Sequence, residues 1–164
     1  MDKNLKLYYT EIDTKDPMIK SALKFAYQAH LNQFRKSGEP YISHCIEVYR
    51  ILKSWGVENR DLLIASLLHD VIEDCPEYSY DFLRKKGFSE EQIFAIECLT
   101  KNPPDEDYEE FIKRTEKSPL AIAVKLNDLR DNMDLRRINR PLTEKDLKRL
   151  NKYLKAYQYL IEKY

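Results

Sequence analysis

An imidazole and three carboxylates fall within one short stretch of the chain, at His69, Asp70, Glu73 and Asp74. The residues just before them, Leu67–Leu68, are apolar. Residues four apart share a face of a helix, so His69 is expected beside Glu73, and Asp70 beside Asp74. Unpaired charge is costly to bury, so a buried helix with these groups needs a partner for them. The pattern therefore predicts a site for a divalent cation.

Two further residues offer the same kinds of donor atom. His44 lies near the start of a predicted helix, and Asp128 ends the apolar helical run Val124–Asp128. With His69 and Asp70 they would form a mixed nitrogen and oxygen site. Such ligands suit manganese, iron or zinc, with positions left open for water and substrate. Because the set contains no thiolate, a closed structural zinc site is disfavoured.

The alternative for any one of these histidines is an ordinary hydrogen-bonded side chain. For His30 that interpretation is favoured, because only its spacing suggests a role. The stretch from His69 to Asp74 is different, since its titratable groups follow Leu67–Leu68 and surround Val71. A solvated surface does not explain charged groups among such neighbours.

The length, charge balance, hydrophobicity and cysteine content of the chain narrow the class of protein. The 164 residues are expected to form one domain over 1–164. With 28 acidic and 28 basic residues, a general nucleic-acid or membrane-surface binder is disfavoured. No apolar run approaches membrane-spanning length, and the N-terminus lacks the apolar stretch of a signal peptide. Cys45, Cys75 and Cys98 are odd in number and widely spaced, as expected of reduced thiols in a cytoplasmic protein.

Capping residues, prolines and apolar spacing predict an all-α fold. No stretch shows the sustained alternation of a β-strand. Residues 1–15 are expected to form an N-terminal arm or a short helix. The other predicted helices cover about residues 17–34, 42–55, 60–74, 79–86, 89–100, 108–115, 120–133 and 144–164.

Three segments resemble, in the same order, the HD-domain hydrolases of the RelA/SpoT type. They are Gln33–His44, Leu68–Asp74 and Lys125–Asp128, and the likeness spans residues 18–135. The resemblance implies an HD-domain helical bundle that holds a single Mn²⁺ ion between helices. It also implies hydrolysis of the 3′-diphosphate of guanosine tetraphosphate (ppGpp) or pentaphosphate, which yields GDP or GTP and pyrophosphate.

The same resemblance assigns roles to individual residues. Glu73 and Asp74 match the acidic pair that handles the attacking water, although Glu73 could instead orient a ligating histidine. The metal ligands are assigned to His44, His69, Asp70 and Asp128. The nucleotide contacts are assigned to Arg35, Lys36, Ser37, Lys101, Lys125, Asn132, Arg149 and Tyr153.

Several of these nucleotide contacts have plain structural alternatives. An exposed basic turn such as Arg35–Ser37 is usually only solvated. Lys125 could contact phosphate or only the carboxylates of the metal site, and Lys101 could be a cation at a helix C-terminus. Arg149 and Tyr153 share a helix rich in tyrosine, where packing explains them equally well.

The chain departs from the family pattern just after Asp128. Asp134 and Leu135 stand where an arginine and a threonine are expected near the substrate. A carboxylate there would repel a diphosphate. The departure does not affect the predicted metal ligands, but it leaves the identity of the substrate undecided. The length also leaves no room for the synthetase and regulatory domains of long family members, so hydrolysis without synthesis is expected.

Two other functions therefore stay open beside the leading one. The first is a related HD phosphohydrolase acting on NADPH, pyrophosphorylated adenosine nucleotides or nucleoside monophosphates. The second is a non-catalytic nucleotide-binding or antitoxin-like partner protein. In each case the expected partner is a small nucleotide rather than nucleic acid or a membrane, and the oligomeric state is left open.

Overall fold

The computed structural model describes residues 3–12 and 14–164, which form helices joined by turns. Over those residues the only strand-like pairing is an isolated bridge between Phe34 and Pro40, so the all-α prediction is confirmed. The helices are α1 (Lys3–Ile12), α2 (Pro17–Ala29), α3 (Ile42–Ser54), α4 (Arg60–Leu68), α5 (Val71–Asp74), α6 (Tyr80–Lys85), α7 (Glu90–Leu99), α8 (Tyr108–Thr115), α9 (Pro119–Asn132) and α10 (Glu144–Lys163). A 3₁₀ turn at Leu135–Arg137 links α9 to α10.

The N-terminal prediction offered an arm or a short helix for residues 1–15. The helical alternative describes α1, while residues 1, 2 and 13 lie outside the described part of the chain.

Most of the predicted helix starts coincide with side-chain caps, and α3, which follows Tyr41, is the exception. Asp16 accepts hydrogen bonds from the backbone N–H groups of Met18 and Ile19, ahead of Pro17 in the first helical position. Ser89 and Gln92 form a reciprocal capping box at the start of α7. These caps satisfy N–H groups that have no partner within the helix. Because each cap lies next to the helix start in the sequence, such starts can be predicted from the sequence.

The second helix ends earlier than the sequence predicted, at Ala29 rather than Phe34. Beyond it the chain doubles back as a tight loop. The N–H of Arg35 donates to the carbonyl of Glu39 at 2.8 Å, and the N–H of Tyr41 donates to the carbonyl of Gln33 at 2.8 Å. Gly38 turns this loop with a φ of +90°, a conformation that suits glycine.

The predicted helix over 60–74 is interrupted at His69 and Asp70. The backbone of Asp70 lies at the edge of the right-handed helical region, with φ −101° and ψ −5°, and α5 begins at Val71. The N–H of Asp74 donates to the carbonyl of Asp70 at 3.0 Å, which is the first helical hydrogen bond of α5. The interruption falls on the His-Asp pair itself.

Helix α4 lies at the centre of the core, with every residue from Leu62 to Leu68 buried. It packs against α2, α3, α7 and α9. A second, smaller apolar cluster joins α8, α9 and α10 around Phe111, Leu129 and Leu160. Among the described residues, no helix is long and apolar enough to span a membrane.

Truncating Leu68 should test how far the fold depends on α4. This side chain is fully buried next to His69, so Leu68→Ala should lower the free energy of unfolding by about 2–5 kcal/mol. Leu154→Ala is the matched control, because Leu154 is 45% exposed and should lose no more than about 0.5 kcal/mol. Urea unfolding followed by circular dichroism measures both, and equal losses would contradict this description of the core.

Candidate metal centre and nucleotide cleft

Four of the predicted site residues converge from three places in the fold. His44 comes from α3, His69 and Asp70 from the junction of α4 and α5, and Asp128 from α9. The Nε2 atoms of His44 and His69 lie 3.2 Å apart. Oδ1 of Asp128 lies 3.1 Å from His44 Nε2, and Oδ2 of Asp70 lies 3.1 Å from His69 Nε2. His44, His69 and Asp70 thus offer donor atoms close enough to hold one cation, with Asp128 beside them.

The other ring nitrogen of each histidine has a partner that accepts a hydrogen bond. Nδ1 of His69 lies 2.8 Å from the carbonyl oxygen of Ser66, and Nδ1 of His44 lies 2.6 Å from Oδ2 of Asp131. Because these oxygens only accept, both Nδ1 atoms must carry the hydrogen. In the neutral rings both Nε2 atoms then present lone pairs toward the carboxylates. Such partners are typical of metal-ligating histidines.

This donor set fits a divalent transition metal. Two imidazole lone pairs and two carboxylates facing one small space repel one another unless a proton or a cation lies between them. Burial lowers the pKa of His44, but its hydrogen bonds with Asp128 and Asp131 outweigh burial and raise that pKa to about 9. The pKa of His69 is also raised, by Asp70, against the effect of burial. The surroundings therefore demand positive charge at this position.

Neighbouring side chains hold the two carboxylates in place. The hydroxyl of Tyr41 donates to Oδ2 of Asp70 at 2.7 Å. Lys125 Nζ donates to Oδ2 of Asp128 at 2.8 Å, and the amide of Asn132 donates to its Oδ1 at 2.5 Å. Burial would raise the pKa of Asp128, yet Lys125 and the histidines hold it well below its ordinary value. Both aspartates are therefore kept ionised.

The predicted acidic pair lies next to this cluster, on α5. The carboxylate of Glu73 accepts a hydrogen bond from the backbone N–H of Lys101 at 2.9 Å, which fixes its orientation. Partial burial and the charges of Asp70 and Glu73 raise the pKa of Asp74 to about 6. A carboxyl group with such a pKa can exchange a proton near neutral pH.

A cleft of about 320 Å³ opens beside His44. It brings together residues from the loop before α3, the end of α9 and the face of α10. Of the residues predicted from the sequence to contact a nucleotide, those that line the cleft are Arg35, Lys36, Ser37, Asn132, Arg149 and Tyr153. Its volume is within the range of small-ligand pockets, about 300–1,000 Å³.

Two predicted nucleotide contacts, Lys101 and Lys125, are not among the residues that line the cleft. Lys125 is buried beneath the site, where it pairs with Asp128 and lies 4.8 Å from the ring centre of Phe111. The sequence left two alternatives for Lys125, a contact with phosphate or a contact with the carboxylates of the metal site. The ion pair with Asp128 corresponds to the second. Lys101 lies over the ring of Tyr108, and its contact with a nucleotide stays a prediction.

Several residues around the site were not predicted from the sequence. Tyr41 and Asp131 contact the predicted ligands, while Arg137 and Arg140 line the cleft. Lys152 lies over Tyr108, and burial together with nearby cations lowers its pKa. The available signals were the position of Asp131 one turn after Asp128 and that of Lys152 one residue before Tyr153. Neither spacing reveals a partner on another helix.

Asp134 also lines the cleft, but its charge is paired. It caps the 3₁₀ turn and accepts hydrogen bonds from the guanidinium of Arg136 at 2.8 and 2.9 Å. Arg137, which also lines the cleft, lies 3.8 Å from the same carboxylate. The repulsion of phosphate expected from this residue is therefore offset by two adjacent arginines.

Comparison with known proteins places this arrangement in a family. Residues 22–96 match the model of an HD domain, HD_4. The chain contains an HD domain with homology to the SpoT and RelA hydrolases. The stretch matched includes His44, His69 and Asp70, and it ends before Asp128.

The chain is also similar to parts of several longer proteins. The guanosine-3′,5′-bis(diphosphate) 3′-pyrophosphohydrolase of Aquifex aeolicus is 34% identical over 70% of this chain and 17% of its own length. The protein of the same name from Borreliella burgdorferi is 39% identical over 57% of this chain and 13% of its own. A GTP pyrophosphokinase of Streptomyces coelicolor is 32% identical over 77% of this chain and 16% of its own. The chain thus spans about a sixth of the length of these relatives.

A solved structure matches most of both chains. It is described as a metazoan ortholog of SpoT that hydrolyzes ppGpp and plays a role in starvation responses. The TM-score is 0.75 with 26% identity, over 90% of this chain and 86% of the other. The helical arrangement is therefore that of an HD domain.

Binding of a cation to this cluster should stabilise the fold. Mn²⁺ at about 100 times its Kd would add about 2.7 kcal/mol, which raises the melting temperature by about 5–10 °C. His69→Gln should abolish the shift, because it removes one of the converging Nε2 atoms. His30→Gln is the matched control: His30 is equally buried but bonds to Gln33. Differential scanning calorimetry measures the melting temperature with and without Mn²⁺. If Mn²⁺ still raises the melting temperature of His69→Gln, the proposed site is contradicted.

Proposed function

We propose that this protein hydrolyses the 3′-diphosphate of ppGpp or of guanosine pentaphosphate, releasing pyrophosphate and GDP or GTP. The observation that carries the proposal is the juxtaposition of the His/Asp cluster with a cationic cleft, joined at His44. The names of the Aquifex and Borreliella relatives and the description of the metazoan SpoT ortholog support the same substrate.

The proposed metal ligands are His44, His69, Asp70 and Asp128, and the proposed ion is Mn²⁺. Imidazole and carboxylate ligands without thiolates suit this ion. When bound, a divalent cation supplies Lewis-acid chemistry, since it lowers the pKa of water and neutralises charge on phosphate. The chain's own contribution is to commit the hydrogen on each Nδ1 to a fixed acceptor, so that both Nε2 atoms face the cluster, and to keep both aspartates ionised.

Glu73 and Asp74 are proposed to orient the attacking water and to accept its proton. Glu73 is held by the N–H of Lys101, so its free oxygen has a fixed direction. Asp74, with its pKa raised to about 6, is ionised at neutral pH and can take up a proton as the bond to phosphorus forms.

The cleft supplies the nucleotide contacts in this proposal. Arg35 and Arg149 offer planar guanidinium groups that can stack on a base or grip phosphate, while Lys36 adds a compact charge. Asn132 and Tyr153 offer an amide and an aromatic ring on the same wall. Lys152, close to Lys36 and Arg149, adds further positive potential for a polyphosphate.

We further propose that the protein acts in the cytoplasm, as part of a stringent response, and that it works on a small nucleotide rather than on nucleic acid. The balanced charge of the chain and its free cysteines support this setting. A single HD domain over residues 1–164 that hydrolyses without synthesising also remains a proposal.

A substrate panel should separate this reaction from its alternatives. Protein reconstituted with Mn²⁺ should release pyrophosphate and GDP from ppGpp, because attack occurs at the 3′-linked phosphorus. NADPH, a pyrophosphorylated adenosine nucleotide and AMP should each be hydrolysed with a kcat/KM at least about tenfold lower, a difference of about 1.4 kcal/mol. Ion-exchange chromatography identifies the products. Preferred release of single phosphate from NADPH or AMP would reject the proposal.

Removing the acidic pair should stop chemistry without removing the metal. The double variant Glu73→Gln, Asp74→Asn should lower kcat by about 10²–10⁴-fold, the usual loss of general acid–base catalysis. Its affinity for Mn²⁺ should stay within a few-fold of wild type. Glu77→Gln is the matched control, since it removes an exposed carboxylate one turn away. Steady-state kinetics and calorimetric titration measure both quantities, and an unchanged kcat would point to a binding protein.

A further inference from the structure

The carboxylate of Asp131 joins residues from three separate parts of the chain. Its Oδ2 accepts the hydrogen bond of His44 Nδ1 at 2.6 Å and lies 2.8 Å from the guanidinium of Arg35. Its Oδ1 lies 2.5 Å from the guanidinium of Arg137. The side chain of Asp131 is only 1% exposed, so these three groups surround it, although Oδ1 meets Arg137 as an ion pair and accepts no hydrogen bond.

Two acidic residues of α9 clamp the ring of His44 from opposite sides. Asp128 lies at Nε2, with its Oδ1 3.1 Å away, and Asp131 lies at Nδ1. They are three residues apart and so share a face of the helix. The hydrogen on Nδ1 is committed to Asp131, and this leaves the lone pair of the neutral ring on Nε2, where His69 and Asp70 converge.

The same carboxylate also fixes part of the cleft. Arg35 belongs to the loop before α3 and Arg137 to the 3₁₀ turn after α9, and both line the cleft. Neither segment is held by a long helix at that point. Their shared ion pairs with Asp131 tie both of them to α9, beside the histidine.

We propose that Asp131 is a positioning residue that holds His44 in its metal-binding tautomer and simultaneously fixes Arg35 and Arg137 along the nucleotide cleft. This inference rests on the function proposed above and adds to it a coupling between the two halves of the site. A carboxylate behind a ligating imidazole also makes the ring a stronger base and therefore a better ligand. An ordinary buried salt bridge would contribute to stability and would affect neither metal affinity nor nucleotide binding.

The isosteric change Asp131→Asn separates these interpretations. An amide can accept from His44 Nδ1 only by turning its NH₂ group toward Arg137, where donors would face donors. Isothermal titration of the metal-free protein with Mn²⁺ should therefore give a Kd about 10–100-fold weaker than wild type. At saturating Mn²⁺, the variant should keep a raised KM for ppGpp, because Arg35 is no longer fixed.

Asp134→Asn is the matched control for the loss of charge. Asp134 lines the same cleft three residues later and pairs with Arg136, but it contacts none of the proposed metal ligands. Its Kd for Mn²⁺ should stay within twofold of wild type. If Asp131→Asn and Asp134→Asn weaken Mn²⁺ binding equally, or if neither does, the positioning role of Asp131 is refuted.

A measurement on the wild-type protein covers the case in which Asp131→Asn fails to fold. Nitrogen-15 NMR of imidazole-labelled protein loaded with Zn²⁺ reports which ring nitrogen carries hydrogen. The inference expects a protonated Nδ1 on His44 with a metal-shifted Nε2, and a metal-shifted Nδ1 would overturn it. Wild-type protein that binds neither Mn²⁺ nor Zn²⁺ would instead reject the proposed function, and the inference with it.

Discussion

The main constraint on this structure is that two imidazole nitrogens and two carboxylates converge at one buried point, where their lone pairs repel one another unless positive charge lies between them. Two imidazole nitrogens lie 3.2 Å apart, with carboxylate oxygens 3.1 Å from each. Without positive charge between them, burying these groups together would be costly. The fold nevertheless buries His44, His69 and Asp128 and leaves Asp70 only partly exposed. The groups around the cluster are heavily hydrogen-bonded, since both Nδ1 atoms and both carboxylates have partners.

The groups behind the cluster are as specific as the cluster itself. Ser66 and Asp131 set the two tautomers, and Tyr41 and Lys125 hold the two carboxylates. Tyr41 and Asp131 belong to different elements from the groups they hold. Ser66 and Lys125 lie one helical turn before the groups they hold. The site is therefore fixed by the packing of α3, α4 and α9, and a change in that packing would disturb every ligand at once. Asp131 extends this dependence to the cleft, through its two arginines.

Local signals allowed much of the fold to be predicted from the sequence. The caps at Asp16 and Ser89 are local, so they marked helix starts correctly. The early end of α2 depends on a loop that pairs Gln33 with Tyr41, and the break at His69 contains neither glycine nor proline, so neither was readable. His44 and Asp128 are far from His69 in the sequence, so their donor types could suggest a shared site, and only the family resemblance assigned them as ligands of one ion. Asp131 was missed because its partners lie on other elements.

The most direct test of the central claim is anomalous X-ray diffraction at the manganese edge from crystals of the Mn²⁺-loaded protein. The account predicts one strong peak, within coordination distance of Nε2 of His44, Nε2 of His69 and the carboxylates of Asp70 and Asp128. A protein whose only peak lies elsewhere, or that shows no peak at saturating Mn²⁺, would contradict it.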